Sequence, residues 1–456
     1  MGCGEGGAGL DISNDGGGVK GKMGRWRGER SHMQSAVIPV EVVPDSTLFS
    51  ECPSGHRADF GTIPTAHGAM IDGTQIHPDD SDREILAAMA WAKPKYGKGK
   101  IDAAGEMLLR EDELSANIFD PEFVAKYYEA VDIVNNWRAS HSYPLQTIKM
   151  TLKRRAKRVC PTALVAQRLK RLASIKLKLN LSKQEGNHPN LSQMQDLGGC
   201  RAVLDSVRQV RKLEKLFSDA SKKNPKRGPQ HFKTSDYITN PKENGYRSVH
   251  LIYKFRTDSE KHDCYNGQRI EIQLRTRLQH YWATAVETYS TFTGEALKSN
   301  IGSEQWMRFF ALVSSAIAIF EKQPTVPGTP TSMDEIRPEI QALYTSLNVN
   351  NVLSGWAATM KFTVETTDEQ IKSAAMYLIV LDPATFSGTL YPYSKDQLAA
   401  ANAQYAKTEK EQPDLQAVLV AVDSVAALRA AYPNYYLDTT SFLKVVNAAI
   451  DDTKQL

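Results

Sequence analysis

Two segments concentrate polar side chains at spacings that packing alone does not require. They are DYITNPKENGYRSVH, from Asp236 to His250, and IEIQLRTRLQHYWATAVE, from Ile270 to Glu287. In the second, Glu271, Gln273 and Arg275 alternate with Ile270, Ile272 and Leu274. Strand side chains point to opposite faces in turn. One face is then apolar, and the other carries an acid, an amide and a guanidinium, which suits a strand that floors a polar cleft. In the first segment, Asn244-Gly245 is a turn signal. The alternation of YRSVHLIYKF after it places Tyr246, Ser248 and His250 on one face. Charge adds a third feature. From Ile133 to Gln184 there is no Asp or Glu, while thirteen Lys and Arg fall there. Such a block attracts polyphosphate or nucleic acid, although Lys153 to Arg158 within it equally suits a solvated helix face.

These residues need elements to hold them. The middle of the chain reads as alternating strand and helix, with strands expected at Cys200–Leu204, His231–Tyr237, Arg247–Phe255 and Arg269–Arg275. Helices are expected at Val207–Lys222, where Val210, Leu213, Leu216 and Phe217 share a face, and at Arg277–Thr293. Upstream, Pro121–Arg138 reads as a helix with proline at its first position, and Pro144–Arg158 as a basic helix. The pattern predicts a mixed α/β sheet with helices packed on it.

The 456 residues exceed one typical domain, so two or three are expected. Residues 1–90 read as an N-terminal extension, Gly-rich at its start and turn-rich beyond, with a short helix at Asp82–Trp91. Residues 91–300 hold the motifs. Residues 301–331 are a helix ending in the Pro-rich connector QPTVPGTPT, read as extended and open to proteolysis. Residues 332–456 then read as a smaller C-terminal α/β domain without a metal, nucleotide or nucleophile motif. Its helices are placed at Met333–Leu347, Asn350–Met360, Lys395–Glu411, Ser424–Ala431 and Thr440–Asp451, and its strands at Ala375–Leu381, Thr389–Tyr393 and Ala417–Val422.

Composition excludes several classes. The five cysteines form no C-x-x-C pair and no regular spacing, which speaks against a disulfide framework or zinc site and fits a reducing, cytoplasmic setting. No apolar run is long enough to span a bilayer, so no membrane partner is expected. The Met-Gly-Cys start lacks the Ser or Thr at position 6 that acylation would need.

The motifs D-Y-I-x-N-P-K-x-N-G-Y-x-S-x-H and E-I-Q-x-R-T-x-x-x-H-x-W-A, with R-x-K-x-x-x-S-I-x-x-K-L from Arg168 and DLGGCRAV from Asp196, occur in this order. Together they resemble the RelA/SpoT synthetase domain over about residues 91–300. The resemblance implies a nucleotidyltransferase-like fold. It implies Mg²⁺-dependent transfer of pyrophosphate from ATP to the 3′-hydroxyl of GDP or GTP. Asp196 and Glu271 would hold Mg²⁺, and Glu271 would also act as base. Arg168 and Arg201 would sandwich the adenine, while Lys170, Ser174 and Lys178 face the ATP phosphates. On the acceptor side Tyr246 would stack on guanine, Lys242 and His250 would contact its phosphates, and Ser248, Gln273 and His280 would complete the pocket. The sequence departs from the family at Leu181, where a basic residue is common, and at Thr288, where a His usually follows the Glu. No hydrolase signature accompanies the motifs, and His262-Asp263 is an isolated pair in a loop. Two alternatives stay open: a relative that pyrophosphorylates the tRNA 3′ end or an adenosine nucleotide, and a non-catalytic nucleotide-binding regulator. Homo-oligomerisation also stays open.

Overall fold

The structure, a computed structural model, describes residues 91–451 apart from 115–116, 118, 187–189, 224–227, 294, 296, 298–301, 360, 365–373, 383, 386, 413–414 and 422–438. The expectations for residues 1–90, and for a helix at 424–431, fall outside these. Three helices come first: α1 (Lys98–Leu108), α2 (Pro121–Ser140) and α3 (Ser142–Val159). Asp120 caps α2, accepting from the backbone N–H of Glu122, with Pro121 at the first helical position. On α3, Leu145, Ile148, Leu152 and Ala156 are buried at helical spacing, and Arg154, Lys157 and Arg158 face solvent.

The polar motifs sit on five strands and the helices between them. These are β1 (Leu164–Leu169), α4 (Leu172–Gln184), β2 (Gly198–Leu204), α5 (Val207–Lys223), β3 (Gln230–Asp236), β4 (Val249–Lys254), β5 (Arg269–Thr276) and α6 (Arg277–Thr293). Beyond them lie α7 (Glu304–Phe320), α8 (Met333–Ser346), α9 (Val349–Thr359), β6 (Lys361–Val364), β7 (Met376–Asp382), β8 (Ser387–Tyr393), α10 (Leu398–Glu411), β9 (Gln416–Ala421) and α11 (Thr440–Ile450). Among the described residues the strands form one nine-stranded sheet, ordered β3-β4-β5-β2-β1-β9-β7-β8-β6. The β2–β5 and β6–β8 pairs are parallel and the others antiparallel. The expected mixed α/β class is the class observed.

Helix α1 and strand β6 were not expected, and strands β1 and β4 differ from expectation where the site is built. Strand β1 was not foreseen: it is six residues long and is buried at every third position rather than every second, so alternation gave no signal. Strand β4 begins at Val249 rather than Arg247, which leaves Tyr246 and Ser248 in irregular backbone where the period of two does not apply.

The expected free-standing C-terminal domain meets two findings. Strands β7 and β9 and helix α10 do share an apolar cluster around Leu378, Tyr405 and Leu419. Yet β9 pairs with β1 at Gln167↔Ala421 and Arg168↔Val420, so the sheet runs on without a break. Helix α11 also enters the core of α6 and α7, where Phe442 packs edge-on against Phe309 at 6.4 Å and tilted against Phe310 at 5.7 Å. The connector is pinned as well. Val326 is 1% exposed, its N–H donates to Ser315 Oγ at 2.9 Å, and Arg308 holds Gly328 O at 2.7 Å.

This arrangement predicts slow proteolysis at 324–331. It also predicts that Phe442→Ala costs about 3–5 kcal/mol of stability by opening the shared aromatic cluster. Calorimetry should show one transition moving down as a whole. Two separate transitions, with only the second shifted, would mean the halves fold independently.

Candidate active site

The sheet register builds the site row by row. Across the strands, His250 lies opposite Gln273, Gln273 opposite Arg201, and Arg201 opposite Ala166. In the next row Glu271 pairs with Gly199, and Gly199 with Arg168. Paired residues share a face, so Arg168, Arg201, Glu271, Gln273 and His250 rise from the same side of the sheet. Ile270, Ile272 and Leu274 fill the core on the other side, against α3 and α5. A pocket of about 960 Å³, counting its open mouth, lies over the polar face. It is lined by Arg168, Lys170, Asp196, Arg201, Lys242, Tyr246, His250, Glu271 and Gln273, all expected from the sequence, and by Gly199, Arg275 and Glu287.

One end of the pocket is cationic. Asp196, in the loop before β2, accepts from Lys170 Nζ and Lys178 Nζ, each at 2.9 Å. Burial opposes charge on Asp196, but the two lysines outweigh it and hold the carboxyl well below the usual carboxylate range. Burial also lowers the pKa of Lys170, against the pull of Asp196. Arg168 and Arg201 sit on neighbouring strands two residues out of register. Such diagonal neighbours are about 7–8 Å apart at the backbone. A flat ring between two planar groups needs about 7–8 Å, two contact distances of about 3.5–4 Å. Gly199 lies opposite Arg168, and a Cβ there would meet nothing within 4 Å, so the floor is open.

The other end is aromatic. Tyr246 Oη lies 2.8 Å from His250 Nε2, and His250 Nδ1 lies 2.8 Å from a Glu271 oxygen. Gln273 Nε2 donates to the other Glu271 oxygen at 2.6 Å, and Arg275 donates to Gln273 Oε1 at 2.7 Å. Burial opposes the His250 imidazolium, but neighbouring Tyr246 and Glu271 overcome it and push its pKa up to about 10. Burial would likewise raise Glu271, yet His250 holds it below the ordinary value, so the pair is ionised on both sides. The Lys242 ammonium lies 4.8 Å from the Tyr237 ring centre and 5.9 Å from that of Tyr246.

The turn before Tyr246 depends on glycine. Gly245 has φ +87°, and a Cβ there would stand 3.0 Å from both Ser314 Cβ and Trp282 Cζ2. Buried Arg247 locks the same loop, donating to Ser314 Oγ at 3.0 Å and to Ile238 O at 3.2 Å. Sequence reasoning missed Arg247 because an Arg between strand residues reads as solvent-facing. Arg275 was visible in the β5 alternation but was not singled out.

Four expected residues do not line the pocket, and of these Lys178 reaches it only through its contact with Asp196. Ser248 is fully buried and its hydroxyl donates to Leu274 O at 3.0 Å, because the backbone twists between Tyr246 and Val249. His280 is buried in the first turn of α6. Ser174 is half-buried on α4 and does not line the pocket, although it shares a helix face with Lys178. His262 stacks on Tyr143 at 4.2 Å, which accounts for the isolated His-Asp pair as loop packing.

Residues 167–293 match the family described as a region found in RelA/SpoT proteins. The matched stretch takes in every pocket residue except Ala166. The chain is 34% identical over 128 residues to the GTP pyrophosphokinase YjbM of Bacillus subtilis, covering 27% of this chain. It spans about half, 54%, of that curated relative. Small alarmone synthetase 1 from Bacillus subtilis aligns over 44% of this chain and 93% of its own, at 22% identity and a TM-score of 0.32. A GTP pyrophosphokinase family protein from Streptococcus pneumoniae aligns over 44% and 92%, at 21% identity and a TM-score of 0.31. Among the described residues no helix is long and apolar enough to cross a membrane.

The His250–Glu271 contact gives a pH test. His250 has a folded pKa above its unfolded value near 6.5, so its stabilisation is present below that value and is lost as pH rises to about 10. His250→Gln should therefore melt below the parent at slightly acid and neutral pH, and the gap should close as pH approaches 10. A gap constant across that window would mean that His250 carries no charge in the fold.

Proposed function

We propose that the chain transfers the pyrophosphoryl group of ATP to the 3′-hydroxyl of GDP or GTP, with AMP leaving. One observation carries this reading. A single pocket brings a cationic, arginine-flanked end and an aromatic end to either side of two ionised carboxylates, Asp196 and Glu271. The match of residues 167–293 and the name of the curated relative support the same reaction.

In this scheme Arg168 and Arg201 take the adenine between their guanidinium planes. Lys170 and Lys178 turn from Asp196 to the triphosphate. Tyr246 offers its ring to the guanine, Gln273 its amide, and Lys242 meets the acceptor's phosphates. Glu271 accepts the 3′-hydroxyl proton as the oxygen attacks the β-phosphorus and the bond to the α-phosphate oxygen breaks. The His250 proton keeps Glu271 ionised until then.

Two carboxylates in one pocket, with phosphate and water to complete the shell, fit Mg²⁺. Asp196 and Glu271 would hold it, and it would neutralise charge on the migrating group.

A tRNA acceptor was suggested by the acid-free basic stretch. Its exposed residues on α3, Arg154, Lys157 and Arg158, lie on a helix packed against the sheet face opposite the pocket. The same stretch also supplies Arg168 and Lys170 to the pocket, where the scheme above assigns them to ATP, so the guanosine acceptor is favoured.

Incubation with γ-labelled ATP, Mg²⁺ and GDP, GTP, ATP or bulk tRNA tests the reading. Label should pass to GDP or GTP. Label on tRNA alone would replace the acceptor, and label on none would leave a nucleotide-binding regulator. Glu271→Gln and Asp196→Ala should each lower turnover on the order of a thousand-fold, since base and metal roles meet there. Near-normal turnover in Glu271→Gln would remove it from the mechanism.

Tyr246→Ala should raise the KM for the guanosine acceptor roughly ten-fold, because base–aromatic stacking contributes about 1–3 kcal/mol. Tyr246→Phe keeps the ring but loses the contact with His250, so it should alter the pH profile more than KM. An unchanged KM in Tyr246→Ala would place the guanine elsewhere.

A further inference from the structure

The helix that carries Ser174 and Lys178 starts without a cap of its own. Its N-cap residue is Arg171, which makes no side-chain capping bond, and a guanidinium has no acceptor to offer. The acceptor comes from 237 residues away. Glu409, in the last turn of α10, takes the backbone N–H of Leu172 on one carboxylate oxygen at 2.8 Å. Its other oxygen meets Arg138 at 2.5 Å. Both side chains are almost wholly buried, 3% and 8% exposed. The Arg138 guanidinium lies over the Tyr405 ring at 4.4 Å, one turn back on α10, and donates to the backbone oxygen of Lys170 at 3.4 Å. A second tie joins Arg171 to Gln416 Oε1 at 2.7 Å, at the start of β9.

These contacts converge on the backbone of residues 170–172. Lys170 belongs to that stretch, and Lys178 lies on the helix that begins there. Their ammonium groups are the two that grip Asp196. We infer that Glu409 is a positioning residue: the C-terminal region supplies the missing cap of α4 and so sets Lys170 and Lys178 on the phosphate side of the pocket. A buried carboxylate with both oxygens bonded suits this task, because it fixes direction as well as charge. The part of the inference that concerns ATP rests on the transferase reading. The part that concerns the cap does not.

Replacing both charges at once keeps the fold testable, since removing a buried pair together is far milder than removing one partner. Arg138→Met/Glu409→Met should fold, exchange backbone hydrogens faster across 170–178, and bind a non-hydrolysable ATP analogue about five- to ten-fold more weakly. Its affinity for GDP should stay as in the parent. Arg138→Met/Glu409→Gln restores an acceptor to Leu172 and should recover both slow exchange and ATP-analogue affinity. Should the first variant fail to fold, Glu409→Asp keeps the charge but draws the oxygen back from Leu172. It should then show the faster exchange and the weaker analogue binding.

Unchanged exchange across 170–178 in the folded variant overturns the cap, whatever the protein binds. Faster exchange with unchanged analogue affinity, or equal loss of the analogue and GDP, overturns the positioning role. A parent protein that binds neither nucleotide overturns the transferase reading and with it the ATP part of the inference, while the exchange measurement still decides the cap.

Discussion

Strand β5 hydrogen-bonds along both edges, antiparallel to β4 and parallel to β2, and the strand-borne polar groups of the pocket are indexed to it. Its three apolar residues are buried in the core, and Glu271, Gln273 and Arg275 line the pocket. A slip of one residue would turn Glu271 and Gln273 into the core and bring Ile270 and Ile272 into the pocket. Burying an unpaired carboxylate is costly, so the apolar face enforces the register on which the chemistry depends. Through that register His250 meets Gln273 on one side, and Gly199 and Arg168 line up with Glu271 on the other.

The pocket is electrostatically closed on itself. Asp196 is matched by two lysines and Glu271 by His250. The two lysines differ in exposure: Lys178 is 51% exposed although it is bonded to Asp196. Lys170 is held more deeply, and burial already works against its charge.

Much of this was legible in the residues. The β5 alternation predicted its two faces, and Asn244-Gly245 predicted a turn whose positive φ the structure bears out. What stayed hidden had physical causes. Ser248 was placed by strand periodicity in a segment that is not yet a strand. Strand β1 shows no alternation because the β2 and β9 strands flank it and residues on both of its faces are covered in part. Glu409 could not have been found from the motifs, since its partners Leu172 and Arg138 lie more than 200 positions away and no local pattern links them.

The pairing of β1 with β9 has a further consequence. Without the C-terminal strands, Leu164–Leu169 would be an outer strand with a bare row of N–H and C=O groups, the kind of margin onto which another polypeptide adds. Val420 and Ala421 occupy that margin at Arg168 and Gln167 from within the same chain. The edge of β1 beside the pocket, at Gln167 and Arg168, is thereby closed to strand addition by a second copy.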